Sequence, residues 1–422
     1  MKRILLMLLI SIPFFGLGQE WSNSFNQGNE NTQGESIKQT SDGNYILAGG
    51  IYDNDENDGV VLKINTNGTL QWSQIFGTGN NHERLYSIQE TNDGGYVFCG
   101  VKDYWPGPAD WDVWLIKTDS NGNQQWEQNF DVNSTNDRGR SVQQTSDGGF
   151  IITGRTGFFG GGGNYILLLK TDGNGNQLWN QLLNSNITNF GRSEGFSVEQ
   201  TSDGGYIISG ICKDYPCLIK TDDNGSKEWD KIFGNMSEEP INDVHQTSDG
   251  GYILTGTTEN SDIWLIKTDI NGNQQWDKNF GGTGYDKGNS VQQTSDGGYI
   301  ITGMMYYDSL FCLIKTDGSG NLEWNKNYGC CEGFSVQQTN DGGYIMCGYT
   351  EINGSADDYI HVIKTNSQGN ITSTTKIPIP NPNRTINKTI NFQGQEIQTE
   401  TNQPYIEIYN DGSTEKKLII EK

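Results

Sequence analysis

Ser290–Gly303 reads SVQQTSDGGYIITG, and Ser141–Gly154 repeats it almost letter for letter as SVQQTSDGGFIITG. Weaker copies begin at Ser36, Ser87, Ser197, Asp243 and Ser335. A second phrase follows each copy after a variable gap: LIKTDINGNQQW at Leu265–Trp276 matches LIKTDSNGNQQW at Leu115–Trp126. The aspartate of the first phrase falls at Asp42, Asp93, Asp147, Asp203, Asp249, Asp296 and Asp341, in steps of 45 to 56 residues. A period of that length marks a solenoid, a propeller or an array.

Each unit parses into four short strands. The SVQQT piece alternates polar and apolar residues, and TSDGG supplies glycines for a turn with positive φ. GYIITG is a nearly continuous apolar run, as expected of a strand covered on both faces. WLIKTD is a third strand, D-x-N-G-N a second hairpin turn, and QQWDKNF a fourth strand. Four antiparallel strands per unit of this length predict a propeller blade, and one-strand solenoid rungs would need a much shorter period. Trp72, Trp126, Trp179, Trp229, Trp276 and Trp324 sit in the fourth strands of the first six units. The seventh unit runs SQGNITSTTKI and lacks its tryptophan, whereas Trp21 stands in EWSNSF ahead of the first unit. EWSNSF resembles LQWSQIF at Leu70–Phe76. The amino-terminal segment is therefore expected to supply the outer strand of the seventh blade and close the ring, removing an exposed sheet edge.

The composition agrees and excludes. The 422 residues carry 52 acidic and 28 basic side chains, a net charge of −24. That balance excludes a nucleic-acid partner and docking on anionic lipid, both of which need basic surface. Hydrophobic residues are only 33%, but 11 Trp and 19 Tyr argue against a disordered chain. Residues 1–18 (MKRILLMLLISIPFFGLG) have the basic start, short apolar run and small residues of a signal peptide. No later window is apolar for long enough to span a membrane as a helix, so the mature chain is expected to have no transmembrane span. Ile377–Pro382 (IPIPNP) holds three prolines of the nine in the chain, and residues 378–382 read as a stiff linker. Beyond it the repeat phrases stop, and residues 383–422 show strand-like alternation with an Asn410–Gly412 turn.

Two resemblances follow from these phrases. The G-N-x-x-W endings at Gly122–Trp126 and Gly272–Trp276 resemble the tryptophan-docking repeats of quinoprotein-type β-propellers, and the complete unit is similar to secreted bacterial propeller repeats. This resemblance spans residues 19–377 and implies an all-β, seven-bladed propeller of four-stranded blades. It also implies that Trp21, Trp72, Trp126, Trp179, Trp229, Trp276 and Trp324 pack between neighbouring blades. The FQGQEI strand, the PYIEIYNDG hairpin and the KKLIIEK end resemble the carboxy-terminal sorting domain of the type IX secretion system. That implies a small β-sandwich-like domain read by the export machinery, then usually cleaved, with the body released or held at the outer cell surface.

Chemistry is less legible. Only three histidines occur, His82, His245 and His361, with no close pair for zinc, and no nucleophile elbow or P-loop appears. Cys99 and Cys347 share a small-residue slot and read as packing residues. Cys212 and Cys217 flank a short hairpin and stand either as a disulfide or as two thiols. Adjacent Cys330 and Cys331 are similar to the vicinal disulfide of some quinoprotein dehydrogenases, but those have eight blades and a calcium site. The D-x-N-G-N turns place oxygens at alternate positions, which suits calcium; a turn role explains the same spacing, and no other cofactor is indicated. Glu83, Asp137, Glu194, Asp286 and Glu332 lie in loops entering five first strands. They are expected either to ring one channel mouth as a ligand site or to form a solvated acidic rim. The loops joining second and third strands carry Trp105, Trp111, Phe158 and Phe159, faces suited to sugars or to packing on their own blades. The functional expectation is an exported binding scaffold for extracellular glycan or protein. The alternative is a polysaccharide-acting enzyme using the mouth carboxylates.

Overall fold

The computed structural model describes residues 20–25, 31–53, 56–77, 82–103, 111–132, 134–157, 164–184, 191–235, 239–305, 310–351, 358–371, 386–390, 404–409 and 414–418. The signal segment, the proline linker, Trp105, Phe158 and Phe159 lie outside the described residues. The chain divides into two compact units, Met1–Ser373 and Thr374–Lys422.

The first unit is a seven-bladed β-propeller. Blade 1 is the four-stranded antiparallel sheet β2 (Asn31–Gln39), β3 (Tyr45–Asp53), β4 (Glu56–Ile64) and β5 (Leu70–Phe76). Blades 2 to 6 repeat this order, with first strands β6 (Glu83–Glu90), β10 (Arg138–Gln144), β14 (Glu194–Gln200), β18 (Ile241–Gln246) and β22 (Lys287–Gln293). Blade 7 combines β26 (Gly333–Gln338), β27 (Tyr344–Glu351) and β28 (Asp358–Thr365) with β1 (Trp21–Phe25) as its outer strand. The closing register runs from Trp21 opposite Lys364 to Phe25 opposite Ile360. The expected closure is thus present, and it explains both the missing tryptophan of blade 7 and the extra one before blade 1.

The apolar runs of the second and third strands are buried on both faces. Every residue of β19 (Tyr252–Thr257) and β20 (Ile263–Thr268) is buried. Between blades, each tryptophan lies against the glycine of the next blade's second hairpin turn. Trp229 packs under Gly272, and Trp21 under Gly68. Gly272 has φ +71°, and a Cβ there would sit 2.6 Å from the Trp229 ring, so both conformation and space demand glycine. The same rings meet an aromatic at the start of the next second strand, Trp21 with Tyr45 and Trp324 with Tyr344, each at 5.9 Å between centroids. We expect Gly272→Ala to lower the urea midpoint by an amount corresponding to about 2 kcal/mol, and Gly94→Ala, where a Cβ meets nothing, by less. Equal losses at the two sites would show that φ alone sets the cost.

The polar phrase SVQQT is the zip between first strands. Its second Gln accepts a backbone N–H from the preceding blade's turn. Asn92 donates to Gln144 and Ser146 to Gln200, both at 2.8 Å, and the series closes with Asn340 donating to Gln39 at 2.8 Å. Its Ser accepts from the following blade, as in Val142 N–H to Ser87 Oγ at 3.2 Å. These side chains satisfy backbone groups that an inner strand edge would otherwise bury unpaired.

A second pairing was not read from the sequence. The lysine of each LIKT strand is buried and meets the aspartate of its own TSD turn. The pairs are Lys63–Asp42, Lys117–Asp93, Lys170–Asp147, Lys220–Asp203, Lys267–Asp249, Lys315–Asp296 and Lys364–Asp341, at 2.9 to 3.2 Å.

The second unit shows one three-stranded antiparallel sheet in the order β29 (Ile386–Ile390), β30 (Pro404–Tyr409), β31 (Thr414–Leu418). The hairpin expected around PYIEIYNDG is β30 paired with β31, with Pro404 opposite Leu418. The FQGQEI segment lies outside the described residues. No described helix is long and apolar enough to cross a membrane.

Candidate functional site

The seven first strands surround a central channel, with a cavity of about 450 Å³ lined by residues of those strands alone. All seven carry a β-bulge one residue before the Ser position. The register shifts fall between Gly34 and Ser36, Leu85 and Ser87, Gly139 and Ser141, Gly195 and Ser197, Ile241 and Asp243, Gly288 and Ser290, and Gly333 and Ser335. A bulge leaves one residue outside the ladder and re-aims its side chain. The seven bulged residues are Glu35, Tyr86, Arg140, Phe196, Asn242, Asn289 and Phe334, and all seven line the cavity. Flanking positions are nearly invariant from blade to blade; these differ in charge, size and polarity.

The five carboxylates expected at the mouth do not form one ring. Counting back from the Ser position, Glu194 and Glu332 stand three residues before it, whereas Glu83, Asp137 and Asp286 stand four before it. Only Glu83 and Glu194 lie within a first strand; Asp137, Asp286 and Glu332 precede theirs. None of the five lines the channel cavity. Glu194 is fully buried and held by Arg140 at 2.6 Å and Arg192 at 2.9 Å. Burial alone would raise its pKa, but the surrounding guanidinium groups outweigh burial and hold it at about 2. Glu332 meets Lys287 at 3.0 Å and the bulged Asn289 at 2.7 Å. Asp137 accepts the Val132 N–H at 2.5 Å and the Thr135 hydroxyl at 3.0 Å, and burial pushes its pKa up to about 7. Asp286 accepts the Gly282 N–H at 2.9 Å, and Glu83 is buried opposite Lys102.

Donor atoms of Asp112, Asp131 and Asp137 lie within 4.8 Å of one another, the one such group among the described residues. In the D-x-N-G-N turns the aspartate serves the turn itself. Asp119 Oδ1 accepts the N–H groups of Asn121 and Asn123, and its Oδ2 accepts the Asn123 side-chain amide, all at 2.9 Å. Cys212 and Cys217 form a disulfide with Cα atoms 5.8 Å apart. Cys99, Cys312 and Cys347 are buried free thiols, and Cys331 is buried; the Cys330 side chain lies outside the described residues. Trp111 has Arg138 over its ring at 4.8 Å.

Sequence reading missed the channel's charged groups. His245 replaces the first Gln of the phrase in blade 5, 3.0 Å from Glu199 and 3.6 Å from Asp243, whose other oxygen takes the Ser197 hydroxyl at 2.8 Å. Burial opposes a charge on His245, but the two carboxylates prevail and raise its pKa to about 10. His361 contacts the closing-strand Ser22 at 2.8 Å, and burial lowers its pKa to about 4. An NMR titration should therefore find His245 cationic and His361 neutral throughout pH 6 to 8. A His245 resonance titrating near 6.5 would show that Glu199 and Asp243 do not hold its charge.

No family model matches the chain, and no curated protein matches it. Among solved structures the fold is similar to that of Sqt1 from Chaetomium thermophilum, with TM-score 0.53 and 10% identity over 83% of this chain and 97% of that one. It is also similar to Sqt1 bound to the N-terminus of the ribosomal protein L10, with TM-score 0.52 and 11% identity over 81% of this chain and 98% of that one. Virginiamycin B lyase from Staphylococcus aureus, with quinupristin, gives TM-score 0.54 and 11% identity over 81% of this chain and 98% of that one. These likenesses place the chain among seven-bladed β-propellers. One neighbour binds a peptide segment and another is a lyase, so the fold alone does not choose a function.

Proposed function

We propose that this propeller is an exported interaction scaffold that captures a protein segment at the bulge-lined end of its channel. The observation that carries the reading is the set of seven bulged residues. A scaffold under purely structural constraint has no reason to place Glu, Tyr, Arg, Phe, Asn, Asn and Phe at one equivalent position while keeping its neighbours nearly fixed. Rigid strands that aim diverse side chains into one cavity are what a recognition site needs. The Sqt1–L10 neighbour shows that such a ring can hold a peptide segment. The carboxylate-based enzyme draws less support, because Glu194 and Glu332 are already engaged with cations.

Export rests on the termini. Residues 1–18 fit a signal peptide, and the strand pattern of residues 383–422 fits a sorting domain handed to type IX machinery, giving secretion or display at the outer surface. Deleting Asn383–Lys422 should abolish surface delivery in the producing cell; unchanged delivery would remove this assignment. Binding is tested by presenting the full chain to a peptide library and a glycan array. Phe196→Ser and Phe334→Ser, at half-buried positions, should weaken peptide capture about tenfold while moving stability by only about 1 kcal/mol. Capture unchanged by both substitutions would place recognition elsewhere.

A further inference from the structure

The full sequence contains seven arginines, Arg3, Arg84, Arg138, Arg140, Arg155, Arg192 and Arg384. Five of them fall in blades 2 to 4, and no other blade has any. They are not scattered. Arg84 lies over the rings of Tyr52 and Tyr86 at 4.8 and 5.1 Å. Arg140 lies over Tyr86 and Phe196 at 4.4 and 5.3 Å, and Arg192 over Phe196 at 5.4 Å. The result is a continuous ladder, Tyr52–Arg84–Tyr86–Arg140–Phe196–Arg192, whose middle members Tyr86, Arg140 and Phe196 line the channel cavity. Arg138 stands beside it, over Trp111, and lies directly opposite Arg155 of β11 (Phe150–Thr156).

Among the described residues, two carboxylates form ion pairs with the ladder arginines. Glu35, itself a bulged residue, pairs with Arg84, and Glu194 pairs with Arg140 and Arg192. A third, Asp214, accepts the backbone N–H of Arg192 at 2.8 Å. The four guanidinium groups of Arg84, Arg138, Arg140 and Arg192 against three carboxylates leave a local excess of positive charge in a chain of net charge −24. The Nε atoms of Arg84 and Arg138 are buried with no acceptor among the described residues. Nothing in the packing requires this arrangement: the slot held by Arg138 is Gln33 in blade 1 and Pro240 in blade 5.

We propose that the arginine ladder is the specificity element of the channel and binds a carboxylate of a peptide partner, either its C-terminus or an Asp or Glu side chain. This deepens the interaction-scaffold reading and rests on it. The ligand is anionic because guanidinium groups are what the ladder offers, and Glu35 and Glu194 show that these arginines already hold carboxylates. It is not a sugar stacked on aromatics, because Tyr86 and Phe196 are each flanked by two arginines. It carries one or two charges and is not a polyanion, because the acidic remainder of the body repels a longer run of negative charge.

The test immobilises the full chain and offers it a random heptapeptide pool, once as free acids and once as C-terminal amides. Galacturonate and polygalacturonate are offered separately. The expected result is retention of peptides ending in a free carboxylate or rich in Asp and Glu, with at least tenfold weaker retention of neutral peptides once amidated. Arg138→Gln and Arg192→Gln should each weaken retention at least tenfold, and raised salt should weaken it further. Should Arg138→Gln fail to fold, the more exposed Arg192→Gln decides. Peptides retained without acidic bias, and equally by both variants, would overturn the ladder's role while leaving the scaffold reading intact. Binding of galacturonate with no peptide retained would overturn the peptide carboxylate in favour of a sugar acid. No binding of any probe would overturn both readings together.

Discussion

Trp21→Ala should cost about 3–5 kcal/mol, more than the same substitution at any other docking tryptophan. Trp21 is fully buried, whereas the other six are only partly so. Its indole fills the space under Gly68, meets Tyr45 edge-on and donates from Nε1 to the Thr66 carbonyl at 2.8 Å. Asn23 on the same strand donates to the Gly68 carbonyl at 2.7 Å. These contacts hold β1 to blade 1, while its backbone ladder holds it to β28 of blade 7. The strand is therefore the clasp between the two ends of the ring. Losing the indole leaves a cavity and removes its hydrogen bond to the Thr66 carbonyl, and it frees β1 to detach. A detached β1 exposes the β28 edge, which invites pairing with another chain. The expected signature is local as well as global: amides of β28 exchange before those of β8 (Trp111–Thr118), the equivalent strand of blade 2. Trp126→Ala should lower stability without that selective loss. Equal protection of β28 and β8 in the Trp21 variant would refute the clasp.

The propeller was legible because its information is repeated. Seven copies of two phrases average out local noise, and Trp21 with the tryptophan-less seventh unit gives the closure by subtraction. The hydrogen-bond zip was legible only as a pattern; why glutamine recurs becomes apparent when Asn92 and Ser146 are seen donating to it across blades. The Lys–Asp pairs were hidden because their members lie on different phrases joined by gaps of variable length. The site was hidden for a sharper reason. A bulge adds one residue without any residue type of its own, so Glu35, Arg140 and Phe334 look like ordinary strand positions. The same one-residue ambiguity runs through the carboxylate set, in which Glu194 and Glu332 stand one residue out of step with Glu83, Asp137 and Asp286. The arginine ladder was visible as composition, five arginines between Arg84 and Arg192, but an overall charge of −24 drew attention away from it.

Acid should unfold this propeller steeply between pH 4 and pH 2, and the seven Lys–Asp pairs are the cause. Each lysine side chain is at most 5% exposed, so its ammonium depends on the aspartate beside it. For Asp42, Asp93, Asp147, Asp249 and Asp296, burial pushes the pKa up. Hydrogen bonds from the neighbouring Thr and turn backbone, with the lysine charge, more than offset it and bring the value to about 2. Asp203 and Asp341 are lowered for the same reasons. A carboxylate with a depressed folded-state pKa contributes its full stability above the unfolded value near 3.9 and loses it as pH falls toward 2. A second effect has the opposite sign. The net charge of −24 makes the native state self-repelling at neutral pH, and mild acid relieves that repulsion. The two separate on the pH axis. Stability should hold or rise from pH 7 to about 5, then collapse below 4, where the relief is nearly complete and the pairs are being broken. Six of the seven aspartates are about half exposed, which limits each to a fraction of a buried pair's worth; Asp341, with a side chain 24% exposed, is the exception. Asp341→Ala should therefore cost about 3 kcal/mol at pH 7, against about 1 kcal/mol for Asp93→Ala, because it strands Lys364 in the interior. The matched double substitution Asp341→Leu with Lys364→Met should recover most of that loss and flatten the acid limb. A melting temperature that stays level from pH 4 to pH 2 would show that the pairs carry no net stability, as would an Asp341→Ala chain as stable as the parent.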